Sequence, residues 1–211
     1  MTDAAFADVW ADRLAARFAA EEERLGALDA LVGDGDHGAT MARAFAAAAT
    51  ALATDPAPDL ADRLAAIGRA VTDAAGGASG PLTAGLFLSL AQAVREHRAL
   101  EPRSLAAGLA AARDLVVRMG RCAPGDKTLL DALAPAADAA ATALARGDDL
   151  TATWAAAVGA AAGALAIYVL LIRDLPDFRT LGDYRPPVVS EVFDREGRVV
   201  GEFYTQKRRL V

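Results

Sequence analysis

Three aspartates, Asp29, Asp34 and Asp36, fall within the stretch Leu28-Asp29-Ala30-Leu31-Val32-Gly33-Asp34-Gly35-Asp36-His37-Gly38. Carboxylates this close repel one another and disfavour ionisation unless a cation intervenes. Three glycines surround the last two acids. Glycine adopts backbone angles that other residues avoid, so the segment can fold tightly around a small object. Donors that are all oxygen select a hard ion, magnesium or calcium. An EF-hand is excluded, because the twelfth position counted from Asp34 is Phe45 where a glutamate ligand belongs. A magnesium site on Asp29, Asp34 and Asp36 would keep open positions, which suits bound phosphates. The plain alternative is an acidic turn that caps a helix starting at Ala39.

Two other segments could hold anions. Gly76-Gly77-Ala78-Ser79-Gly80-Pro81 precedes an apolar periodic stretch. Pro81 suits the first position of a helix, and free N–H groups there would face a phosphate. The G-K-[ST] ending of a Walker loop is missing. Gly125-Asp126-Lys127-Thr128 opens a further helix, with Asp126 as the expected N-cap. His37 stands where it could meet a phosphate or a base edge, or simply fix the loop. Without a partner cysteine it does not make a zinc site. His97 is expected in a polar surface connection. Ser79 has no histidine at a recognisable spacing, so no nucleophile triad forms around it. Cys122, the single cysteine, reads as a small packing residue and excludes an internal disulfide.

Helices must position these groups. Phe6, Val9, Trp10, Leu14 and Phe18 recur at spacings of three and four, as one apolar stripe does. The pattern returns at Met41-Phe45-Ala49-Leu52, at Leu60-Leu64-Ile67-Val71 and at Leu82-Leu86-Leu90-Val94. It appears again at Leu105-Leu109-Ala112-Val116-Met119 and at Leu129-Leu133-Ala137-Ala140-Leu144. Alanine elsewhere favours helix and close helix approach. Short links such as residues 55–59 and 123–126 imply antiparallel neighbours. The reading is an all-α antiparallel bundle over residues 1–150.

Residues 151–172 form a run of 22 without a charge. A helix of that length could be the last of the bundle or could span a bilayer. Gly159 and Gly163 give it a G-x-x-x-G pair, a dimer seam in membranes and a consequence of composition elsewhere. Residues 173–211 read as a separate tail. Pro176, Pro186 and Pro187 break helices, and β-prone runs at 187–193 and 198–204 flank a turn at 194–197, so a small hairpin is expected.

The composition is 54% hydrophobic and 24% charged, which is globular. A net charge of −6 gives a nucleic-acid role no electrostatic support. The tail holds eight Lys/Arg against seven Asp/Glu, which leaves −7 on the rest. Asp3, Asp8 and Asp12 interrupt any apolar leader, so the chain is expected in the cytoplasm. The alternative is inner-membrane association through residues 151–172.

Residues 29–41 resemble the D-x-x-x-GDGDHG-x-x-M signature of the dihydroxyacetone kinase L subunit. Gly76 to Pro81 is similar to the GG-[AS]-SGP element of that family. Gly125 to Asp131 resembles its GDKT-M-x-D element, with Leu129 in place of methionine. The three occur in family order and at family spacing. The resemblance implies an antiparallel eight-helix barrel that holds ADP or ATP at one end through two magnesium ions. It implies Asp29, Asp34 and Asp36 as metal ligands. It implies contacts from His37, Gly38, Ala39, Thr40, Ala78 and Ser79 to the nucleotide, and a base pocket lined by Gly120 and Leu129. It further implies a partner K subunit that carries dihydroxyacetone covalently. The phosphoryl source is then ATP or a phosphotransferase-system donor.

The family continues with a GRASYLG-type element and a DPGA segment that help close the site. This chain reads Ala166-Ile167-Tyr168-Val169-Leu170 instead, so the barrel is expected to be incomplete. Residues 168–211 are similar to the segment after the membrane anchor of class A penicillin-binding proteins. The chain therefore reads as a fusion, and a catalytically inactive nucleotide-binding bundle on a membrane-associated tail is the alternative to an active phosphotransferase.

Overall fold

The computed structural model describes residues 3–31, 33–55, 57–173, 190–193 and 199–203, with side chains for residues 5–166 among them. Backbone contacts divide the chain into two units, Met1–Tyr168 and Val169–Val211.

The first unit is all-α among its described residues. It comprises α1 (Asp3–Ala20), α2 (Glu22–Asp29), α3 (His37–Thr54), α4 (Leu60–Ala74), α5 (Ser79–His97), α6 (Pro102–Gly120), α7 (Leu130–Arg146) and α8 (Leu150–Arg173), which runs on into the second unit. Local chemistry sets the ends. The Asp59 carboxylate accepts from the Asp62 N–H at 2.8 Å and starts α4. Pro102 opens α6, where a missing N–H costs nothing, and the Ser104 hydroxyl accepts from the Glu101 N–H at 2.8 Å. The Asp149 carboxylate accepts from the Ala152 N–H at 2.8 Å and starts α8. Left-handed residues stop α5 at Arg98, α6 at Arg121 and α7 at Gly147.

Helices α3, α4, α5 and α6 each pack on the next, α1 lies against α3 and α4, and α2 lies against α3. Short links between successive neighbours make them antiparallel. Leu64, Ile67, Val71, Leu105 and Leu130 are fully buried between them. Each contributes about 1.5–3 kcal/mol by leaving water. Ala44, Ala48, Ala112 and Ala140 are completely enclosed and let the helix axes approach. Aromatic rings tie non-sequential helices together. Trp10 of α1 meets Phe87 of α5 at 5.2 Å and Trp154 of α8 at 5.6 Å. Phe45 of α3 stacks on Phe18 at 4.5 Å and meets Phe87 at 5.8 Å. An apolar cavity of 260 Å³ lies between Trp10, Leu90, Leu109, Leu133 and Trp154.

The first half of α8 is a bundle helix. Thr153 and Ala157 are buried, and Trp154 and Ala161 pack on the core. Among the described residues no helix is long and apolar enough to cross a membrane. The side chains of residues 167–172 lie outside those described. Open space surrounds the Cβ positions of Gly159 and Gly163.

Several expectations need correction. α2 carries no apolar stripe and has no buried residue, so periodicity does not reveal it. Val9, Met119 and Leu129, placed on apolar stripes, are exposed. α3 starts at His37 rather than Ala39, and α5 starts at Ser79, two residues before Pro81. His97 ends α5 half-buried, with Nδ1 3.8 Å from a Glu101 carboxylate oxygen.

In the second unit β1 (Ser190–Phe193) pairs antiparallel with β2 (Val199–Phe203), within the two β-prone runs. Ser190 stands opposite Phe203 and Val192 opposite Gly201, with an irregularity before the Phe193–Val199 pair. The expected turn at 194–197, the prolines at 176, 186 and 187, and most of the stretch similar to penicillin-binding proteins lie outside the described residues.

Candidate functional site

Alternating helix direction gathers three connections at one end of the bundle. These are residues 30–36 between α2 and α3, 75–78 between α4 and α5, and 121–129 between α6 and α7. All three sequence motifs sit there.

The first connection is held by its own hydrogen bonds. Asp29 is the last residue of α2, and its Oδ2 accepts from the Gly35 N–H at 2.9 Å. Gly35 has φ +80°, a left-handed conformation that glycine adopts without strain. A Cβ on Gly33 would lie 2.6 Å from the Asp29 carboxylate, so a side chain there would displace that acid from its present position. A Cβ on Gly38 would lie 1.9 Å from the Glu22 carbonyl oxygen, so α3 meets α2 through bare backbone. Held this way, Asp29, Asp34 and Asp36 each bring a carboxylate oxygen within 4.8 Å of the others.

Asp36 occupies the N-cap position of α3, yet its side chain makes no cap hydrogen bond. The helix-capping alternative therefore leaves its carboxylate unexplained. Among the described residues no ion pair engages any of the three acids. Three converging carboxylates form an oxygen-donor set that fits a magnesium ion.

His37 is half-buried at the first position of α3, followed by buried Gly38, half-buried Ala39 and buried Thr40. The Thr40 N–H closes the first turn on the Asp36 carbonyl at 2.9 Å. Ala78 is exposed and Ser79 half-buried at the start of α5. The loop before them is open, because Cβ atoms on Gly76 or Gly77 would meet nothing within 4 Å. Gly77 needs its φ of +68°, whereas neither backbone angle nor packing requires a glycine at 76.

Gly120 and Leu129 stand exposed at the two ends of the third connection. No hydrogen bond among the described residues joins either to the aspartate cluster. Asp126 does not cap α7. Its carboxylate accepts from the Ala123 N–H at 2.8 Å and closes the loop on itself. The organising acid is Asp131, to which sequence reading gave no role. Its two oxygens accept from the Gly125 N–H at 2.6 Å and the Thr128 N–H at 2.9 Å. The Gly125 bond first, then those from Thr128 and Lys127, hold its carboxyl below the usual aspartate range. Its place in the first turn of a helix after a glycine-containing loop was the available signal. A second overlooked residue, Arg43, gave none, since an exposed helical arginine is ordinary.

The fold and site define an all-α bundle with an oxygen-donor cluster and two glycine-bearing loops at one end. Residues 31–167 match the DAK2 domain, and the chain belongs to that family. It is 36% identical over 152 residues to D-erythrulose kinase of Mycolicibacterium smegmatis, covering 71% of this chain and 26% of that protein. It is 34% identical over 126 residues to the ADP-binding subunit DhaL of the PEP-dependent dihydroxyacetone kinase of Escherichia coli, covering 60% of each. The chain thus spans between a quarter and three-fifths of the length of these relatives. The crystal structure of the C. freundii dihydroxyacetone kinase in complex with AMP-PNP and Mg2+ superposes with a TM-score of 0.58 and 30% identity. That match covers 81% of this chain and 34% of the other, and shows the dihydroxyacetone kinase L-type fold.

Proposed function

We propose that this chain is the nucleotide-holding part of a small-ketose kinase. It binds ADP or ATP through two magnesium ions on Asp29, Asp34 and Asp36. The phosphates lie against the N-termini of α3 and α5, contacted by His37, Gly38, Ala39, Thr40, Ala78 and Ser79. Gly120 and Leu129 line the base pocket. A partner K subunit presents dihydroxyacetone, and the phosphoryl group passes to it from the nucleotide. The donor is ATP itself or a phosphotransferase-system protein that recharges bound ADP.

The convergence of the three aspartate oxygens within 4.8 Å carries this reading. Bound magnesium supplies neutralisation of phosphate charge and alignment of the transferred group. The chain itself supplies the rest. Its carboxylates fix where the cation sits, and free N–H groups at two helix starts face the phosphate oxygens. Supporting this, Escherichia coli DhaL is an ADP-binding subunit, and the C. freundii enzyme was crystallised with AMP-PNP and Mg2+.

Calorimetry with magnesium-ADP tests the proposal. Binding by the native chain, abolished in Asp34→Ala/Asp36→Ala with unchanged thermal stability, is the expected result. Absence of binding by the native chain at millimolar nucleotide removes the proposal. A second reading, a bundle that binds nucleotide without turnover, is motivated by residues 166–170, which read Ala-Ile-Tyr-Val-Leu where the resemblance leads one to expect a closing element. A coupled assay with a K subunit and each donor decides. Phosphorylated dihydroxyacetone above background favours the active kinase.

A further inference from the structure

Two separate segments would have to hold one nucleotide, and a single side chain joins them. Arg43 lies on α3, past the turn that carries His37 to Thr40. Its Nη2 donates to the Thr40 hydroxyl at 3.2 Å, and its Nε donates to the Ala74 carbonyl at 3.3 Å. Thr40 is 4% exposed and bonds back to the Asp36 carbonyl through its own N–H. Ala74 is the last residue of α4, and the Gly76-Gly77 loop departs directly beyond it. The continuous path therefore runs from Asp36 through Thr40 and Arg43 to Ala74 and the glycine loop.

The Ala74 carbonyl is one of the last four of α4, which have no partner within the helix. A cation there also complements the negative end of the helix dipole. α4 has no basic residue in its own last turn, so Arg43 supplies this charge from the neighbouring helix. The planar guanidinium reaches two acceptors in fixed geometry, which an ammonium on a flexible stem cannot reproduce.

The structure assigns Arg43 the part of a positioning residue. It sets the separation of the aspartate loop and the glycine loop, so that both engage the same diphosphate. This rests on the nucleotide-binding reading proposed above. It concerns the chain's alignment of two segments, not ligation of the metal, and so makes a distinct set of predictions.

Binding of magnesium-ADP, magnesium-AMP and Mn2+ alone is measured on the native chain, Arg43→Gln and Arg43→Lys, with thermal melting of each. A diphosphate needs both segments and is expected to bind Arg43→Gln about tenfold more weakly. AMP and Mn2+ affinities are expected to change less than about twofold, because one phosphate or one cation needs only one segment. Arg43→Lys recovers part of the ADP affinity. Native-like ADP affinity in Arg43→Gln overturns the inference and leaves the nucleotide site standing. Equal losses for ADP, AMP and Mn2+, tracking a lowered melting temperature, overturn it in favour of a purely structural bond. Failure of the native chain to bind magnesium-ADP removes the nucleotide site and this inference together.

Discussion

Gly38 and Gly76 are both glycines in the site motifs, and physics separates their reasons. A side chain on Gly38 would penetrate α2, since its Cβ would stand 1.9 Å from the Glu22 carbonyl oxygen. Gly38→Ala is therefore expected to destabilise the chain by about 1–3 kcal/mol, as overpacking does, in urea titration. A side chain on Gly76 would meet nothing within 4 Å. Gly76→Ala is expected to leave stability unchanged or raise it by up to about 1 kcal/mol, through a less flexible unfolded chain. Its loss should appear only in nucleotide affinity. A stability loss at Gly76 as large as that at Gly38 would show that the loop is packed and not open.

At the scale of elements, the connection between α6 and α7 depends on one carboxylate. Asp131 accepts N–H groups from Gly125 and Thr128, across a loop where Arg121, Gly125 and Lys127 all have positive φ. Its carboxyl is held below the usual aspartate range mainly by the Gly125 bond. A lowered folded-state value contributes order that is full above the unfolded aspartate value of about 4 and is lost as pH falls through the folded one. Protection of the Gly125 and Thr128 amides, taken relative to the intrinsic exchange rate at each pH, should therefore fall below about pH 4. Asp131→Asn should raise exchange at neutral pH and remove the acid dependence. Unchanged exchange in that variant would mean that the backbone angles alone hold the loop.

At the scale of the whole molecule, α8 decides whether the bundle has a wall on that side. Trp154 packs edge-on against Trp10 at 5.6 Å and borders the apolar cavity. Trp154→Ala is expected to cost about 2–3 kcal/mol, less than for a fully buried ring, read by thermal or urea unfolding. A cost under about 1 kcal/mol would show that α8 stands off the bundle instead of closing it.

Much of the fold was legible because burial imposes a period. The stripes through Leu64, Ile67, Leu105 and Leu133 are the ones the core encloses, and alternating short links made their owners antiparallel. α2 escaped because nothing on it is buried; it is held by the backbone approach at Gly38, which no periodicity records. The aspartate cluster was legible from residue type and spacing, since close carboxylates among glycines leave few other uses. Asp126 and Asp131 lie close in sequence and look alike there, and only the path of the loop selects Asp131 to hold it. Arg43 was invisible for the same reason. By itself the chain of residue types determined the helical periods, the acidic cluster and the family motifs, because these are local properties. Only the tertiary structure decided that α8 joins the core and that Arg43 reaches the end of α4. Those depend on distances between segments far apart in sequence, which packing alone sets.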